Sequence, residues 1–177
     1  MAAAGCGGDD DAPKTGAAGT TAAALKAADL VPDLGPLGYT LVQQGRDPAA
    51  IGSADVYRAL WQKGQTSPKG ALAAIYVFAD ANTATQQFTI LADALRNPPP
   101  DYLGGAKATF DPAPSPKVGD QQRSYATKDP DGQGNRAWTD IYRVGRVVAI
   151  IQLLDSAQSD QVQLRTTLAG KIQEKVR

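Results

Sequence analysis

The sequence predicts an α+β domain: an antiparallel sheet of about six to seven strands with two long helices on one face. Three observations carry this prediction. Several short runs sort their side chains with the period of two that a strand requires. In Ser53–Lys63, for example, Tyr57, Ala59 and Trp61 share one side, and Val56, Arg58 and Leu60 the other. Two longer segments carry apolar stripes at helical spacing. Each group of strand-like runs ends in one of those helices, which implies antiparallel pairing with helices covering the sheet.

In chain order, a short helix is expected over Ala22–Leu30, capped by Thr20 or Thr21 and ended by Pro32. The turn-rich Leu34-Gly35-Pro36-Leu37-Gly38 leads into a strand at Tyr39–Gly45. Ser53–Lys63 is the next strand, and Gly64–Gly70 is a polar turn. Ala71–Ala79, with Ile75, Tyr76, Val77 and Phe78, reads as a buried strand. Asp80 or Asn82 caps a helix over Ala81–Arg96, where Ala84, Phe88, Leu91 and Leu95 fall on one face. Pro98-Pro99-Pro100 stops it. An irregular, proline-rich segment then runs to Gly119, with a short strand at Lys107–Phe110. Gln121–Thr127 and Arg136–Arg143 are strands joined by a glycine-bearing hairpin loop. Val147–Leu154 is a second buried strand. Asp155–Asp160 supplies caps for a last helix with Leu164, Leu168, Ile172 and Val176 on one stripe, joined by Val162 and Ala169.

The two halves resemble each other. Val56-Tyr57-Arg58 matches Ile141-Tyr142-Arg143, and Ala74-Ile75 with Asp80 matches Ala149-Ile150 with Asp155 at the same spacing. Each half reads as a ββα unit, a likeness that either duplication or shared local pressure produces. Tyr76, Phe78, Ile151 and Leu153 form the heavier apolar side of the two buried strands, and both long helices are assigned to it. Ile75, Val77, Val148 and Ile150 fall on the second face, which is left to the short first helix or the proline-rich segment.

Composition narrows the chemistry. The chain has 177 residues, 18 Lys+Arg against 18 Asp+Glu, one cysteine and no histidine. Without histidine there is no Ser-His-Asp or Cys-His catalysis and no histidine-held metal. One cysteine allows no intrachain disulfide. Zero net charge disfavours a nucleic-acid partner. No cofactor motif is present.

Residues 1–21 have no large apolar residue after Met1 and read as a polar tether; residues 22–177 read as one domain. Ala3-Ala4-Gly5-Cys6 resembles the lipobox that ends the signal peptide of bacterial lipoproteins, with Ala3 where that family usually has a larger aliphatic residue. The resemblance implies cleavage before Cys6, a lipid on its thiol and an extracytoplasmic, membrane-anchored protein. It also implies a signal peptide whose charged and apolar stretches are truncated in the chain as written. The partners implied are the membrane, through the lipid on Cys6, and an envelope protein or small ligand. The order of elements in the folded part is similar to the PsbP-like α/β/α sandwich of some bacterial lipoproteins.

The remaining candidates are few. Asp9-Asp10-Asp11 reads as a solvated tether. Asp120 and Asp140 are the carboxylates best placed for hydrolytic chemistry, although Asp120 suits a turn cap and Asp140 a cross-strand arginine. Asp129, Asp131 and Asn135 suit a hairpin turn better than a cation loop, lacking a third ligand before the glycine and a distant Glu. Tyr57, Trp61, Trp138 and Tyr142 read either as a binding surface or as core anchors. The expected function is therefore a non-catalytic, lipid-tethered binding domain of the cell envelope. The alternatives are a carboxylate-dependent hydrolase or an accessory subunit of an envelope complex.

Overall fold

The structure, a computed structural model, describes residues 25–47, 55–64, 70–96, 110–128, 134–156 and 161–177. Cys6, the leader and the first three residues of the expected helix, 22–24, lie outside the described residues; of the rest, Ala27–Leu30 is helical. The elements in order are α1 (Ala27–Leu30), a 3₁₀ turn at Gly35–Leu37, β1 (Thr40–Arg46), β2 (Asp55–Gln62) and β3 (Gly70–Val77). Then come α2 (Ala81–Arg96), β4 (Phe110–Pro112), β5 (Gln121–Thr127), β6 (Asn135–Val144), β7 (Val147–Ser156) and α3 (Val162–Val176). The seven strands form one sheet in the order β1-β2-β3-β7-β6-β5-β4, and every neighbouring pair is antiparallel. The α+β class and the antiparallel sheet agree with the sequence reading. Of the short strand expected at Lys107–Phe110, residues 107–109 lie outside the described residues, and Phe110 opens β4.

The helices do not share a face. β3 and β7 pair so that Tyr76 faces Val148 and Ile75 faces Ala149. Cross-strand partners point the same way, so Tyr76 sides with Val148 and Ile150, not with Ile151 and Leu153. On one side Ile75, Val77, Ala149, Ile151 and Leu153 pack against Leu168, Ala169 and Ile172 of α3 and Ala27 and Leu30 of α1. On the other, Ala74, Phe78, Val148, Ile150 and Ile141 pack against Ala84, Phe88, Ala92 and Leu95 of α2. The layers run α, β, α. The expectation of both long helices on one face fails because alternation within a strand fixes two sides, while only the register between strands says which sides match.

The same fact limits the repeat. A half-turn about the sheet normal exchanges β3 with β7 and keeps each face on its own side. Because α2 and α3 lie on opposite sides, the two ββα halves share element order without that symmetry.

Local chemistry explains the helix ends. The Thr83 N–H donates to Asp80 Oδ1 at 2.8 Å, and the Thr83 hydroxyl donates to Asp80 Oδ2 at 3.0 Å. Asp80 is thus the cap of α2, and these bonds hold its carboxyl below its ordinary value. α3 begins at Gln161 with no side-chain cap. Packing holds it instead, since each buried Leu or Ile contributes about 1.5–3 kcal/mol. Near its far end, the Lys175 ammonium donates to the carbonyls of Asp29 and Val31, both at 2.9 Å, tying α1 to α3.

Candidate functional site

Two charged side chains are deeply buried against each other: Arg165, on α3, and Asp140, on β6, each with a side-chain exposure of 2%. Arg165 Nε donates to Asp140 Oδ2 at 2.7 Å, and Arg165 Nη2 donates to Asp140 Oδ1 and to the Pro114 carbonyl, the latter at 2.9 Å. The Ser124 hydroxyl on β5 donates to the same Oδ1. One carboxylate thus gathers a helix and two strands, and its arginine adds the segment before β5. Asp140 was expected to meet a cross-strand arginine. Its cross-strand neighbours are Ser124 and Ile151, and the arginine comes from the helix above.

Arg165 also corrects the α3 stripe. The buried side chains are Arg165, Leu168, Ala169 and Ile172, while Val162 is 47% exposed. The spacing from 165 to 168, 169 and 172 is that of one helical face. The signal for Arg165 is therefore present in the sequence, but a charged residue is not counted as core when only apolar positions are read.

The four aromatic candidates lie on one face, in register with core residues. Tyr57 pairs with Ile75, Trp61 with Ala71, Trp138 with Leu153 and Tyr142 with Ala149. That face is the one under α1 and α3. Trp61 is 4% and Tyr142 2% exposed, and Tyr57 and Trp138 are half-buried. Trp61, Tyr142 and Tyr57 pack as anchors of the α3 layer.

The Tyr142 hydroxyl is buried without a hydrogen-bond partner. Burial, and secondarily the Asp140 charge, push its pKa well above the ordinary tyrosine value. A buried hydroxyl left unpaired costs about 1–3 kcal/mol. Tyr142→Phe is therefore expected to raise stability by about 1 kcal/mol, read as a higher urea midpoint at unchanged slope. A lower midpoint would show that the hydroxyl is bonded.

Asp120, expected to cap its own turn at Val118-Gly119-Asp120, caps the β6–β7 turn instead. Its Oδ2 accepts the Gly145 N–H at 2.8 Å and pairs with Arg143 Nη1 at 3.0 Å, closing the β6–β7 hairpin. Gly119 precedes it at φ +77°, where a Cβ would collide with the Arg143 carbonyl oxygen. Asp120 and Asp140 thus serve separate partners and share no atom or neighbour in these bonds. Asp129 and Asp131 lie outside the described residues; Asn135 begins β6 and is buried. Among the described residues, no group of three His, Cys, Asp or Glu side chains is placed to hold a metal ion. Among them also, no helix is long and apolar enough to cross a membrane.

An open surface appears elsewhere. α2 lies over β5, β6 and β7, so the β1–β2–β3 corner of its face carries no helix among the described residues. A groove of about 300 Å³ runs there, lined by Gln43, Gly45, Arg58, Leu60 and Leu72. Leu60 is 38% exposed, and Arg58 pairs with Asp47 at 2.7 Å on the rim. A second cavity of about 470 Å³ lies between the end of α2 and β4–β5, with Arg96, Arg123 and Tyr125 in its wall. There Arg123 is already engaged, by Asp93 at 2.9 Å and over the Phe88 ring at 6.0 Å. The sequence shows no sign of the groove, because nothing in Leu60 or Leu72 says which strands α2 will cover.

No family model matches the chain, and no curated protein matches it. Among solved structures, the chain is similar to the crystal structure of the extracellular domain of PknH from Mycobacterium tuberculosis, with a TM-score of 0.64 and 13% sequence identity. The match covers 85% of this chain and 94% of that one. At this identity the likeness is one of fold: an antiparallel sheet between helical layers.

Proposed function

We propose that the chain is a non-catalytic, extracytoplasmic binding domain, held at the cell envelope by a lipid on Cys6. The observation that carries the binding role is the groove over β1–β3, where Leu60 stands exposed beside charged and amide groups on a rigid sheet. The extracytoplasmic setting is supported by the lipobox-like Ala3-Ala4-Gly5-Cys6 and by a fold shared with a domain described as extracellular. Eighteen residues, 7–24, lie between Cys6 and Leu25. Fully extended, that stretch spans at most about 65 Å, enough to lift the groove clear of a headgroup layer. The occupant is an envelope protein or a small ligand with an apolar portion for Leu60 and Leu72 and a polar portion for the Arg58–Asp47 rim.

Photo-crosslinking in cells of the source organism tests the role. A photoreactive residue at Leu60 is expected to give a discrete adduct whose added mass differs from a second copy of the chain. The same residue at Ile90, which is 58% exposed on the outer side of α2, should give none. Equal, unspecific labelling from both positions would remove the groove from the account.

A further inference from the structure

We infer that two copies of this chain pair through their β1 edges into one continuous sheet, related by a two-fold axis normal to the sheet. This goes beyond the binding role and does not depend on it.

The two edges of the sheet differ. The β4 edge is three residues long, contains Pro112 and continues into Pro114 and Pro116, a segment that Arg165 and Ser124 hold in place. Short, proline-bearing edges resist further pairing. The β1 edge is seven residues long and exposed along nearly its whole length, with no proline. Among the described residues, three of the five exposed large apolar side chains gather at this side: Leu41 at 43%, Val42 at 58% and Leu60 at 38%.

The hydrogen-bond phase shows which groups are free to pair. Asp47 N–H donates to the Val56 carbonyl, and the register runs Gly45 to Arg58 and Gln43 to Leu60. In an antiparallel pair these positions alternate, so Gly45 and Gln43 point their backbone groups at β2. Gln44 and Arg46 point theirs outward.

A strand that meets this edge in its own antiparallel sequence is chemically matched. Thr40–Gly45 carries no charge, so self-pairing sets no like charges opposite each other there. With the axis at Gln44, the N–H and carbonyl of Gln44 exchange bonds with those of its copy. Arg46 then falls opposite Val42 and Asp47 opposite Leu41, where the arginine stem covers exposed apolar surface. The Leu41–Gln43 irregularity falls beside the central pair, and Gln44 itself keeps regular register with β2. Among the described residues each molecule offers one open edge, so the contact closes at two copies and does not propagate. The axis keeps both α2 faces on the same side, so the two grooves adjoin across the seam.

The test uses the full chain with Cys6→Ser, in sedimentation equilibrium across about 1 µM to 1 mM. The mass is expected to rise toward twice the monomer with concentration. Gln44→Pro removes an outward N–H and leaves the bonds to β2 intact, so it should hold the monomer at unchanged far-UV circular dichroism. Independently, Gln44→Cys should form a covalent dimer on oxidation, since hydrogen-bonded partners sit about 5.5 Å apart, within disulfide range. Ile90→Cys is the control. A monomer throughout the range, or Gln44→Cys crosslinking no faster than Ile90→Cys, would overturn the inference.

Discussion

Arg165→Met should destabilise the domain by about 3–5 kcal/mol, a large share of the roughly 5–15 kcal/mol that holds a typical domain. Asp140 would then be left as a carboxylate 2% exposed, with the Ser124 hydroxyl still donating to it. Asp140→Leu should cost a similar amount, because it strands the guanidinium. The double variant is the informative one. With both charges gone, the desolvation that the pair has to offset is also gone, so Arg165→Met/Asp140→Leu should be at least about 2 kcal/mol more stable than the sum of the single losses predicts. Urea unfolding followed by tryptophan fluorescence measures all three. Since Arg165 also binds the Pro114 carbonyl, each single variant should expose the backbone of residues 113–118 to faster hydrogen exchange. Losses below about 1 kcal/mol would mean that the pair is solvated, as surface ion pairs are.

That expectation shows what the sequence conveys and what it withholds. The strands are legible because period-two alternation and flanking turns are local. The α2 stripe of Ala84, Phe88 and Leu95 is legible because helical spacing is local too. The placement of α2 and α3 on opposite faces is not, since it depends on Tyr76 meeting Val148 across two strands far apart in sequence. The same gap hides the candidate site. Tyr57, Trp61, Trp138 and Tyr142 share a side by parity, yet parity does not say that α1 and α3 cover that side. Asp140 reads as the partner of a cross-strand arginine because its actual partner, Arg165, lies 25 positions away on another element. The leader conveys the opposite kind of information: Cys6 speaks through covalent chemistry, which needs no fold.

The largest functional effect is therefore expected at Cys6. A lipid anchor contributes about 0.8 kcal/mol per buried CH₂, and more than one acyl chain is needed for stable attachment. On the proposed lipidation, loss of the thiol would remove the whole anchor at once. Expressed from its native reading frame, the unsubstituted protein should sediment with membranes, and Cys6→Ser should move to the soluble fraction with the fold unchanged. Mass spectrometry of the membrane-bound protein decides the matter most directly. The account predicts a mature chain that begins at Cys6 and carries lipid on it. An uncleaved chain with an unmodified Cys6 thiol, recovered from the soluble fraction, would contradict it.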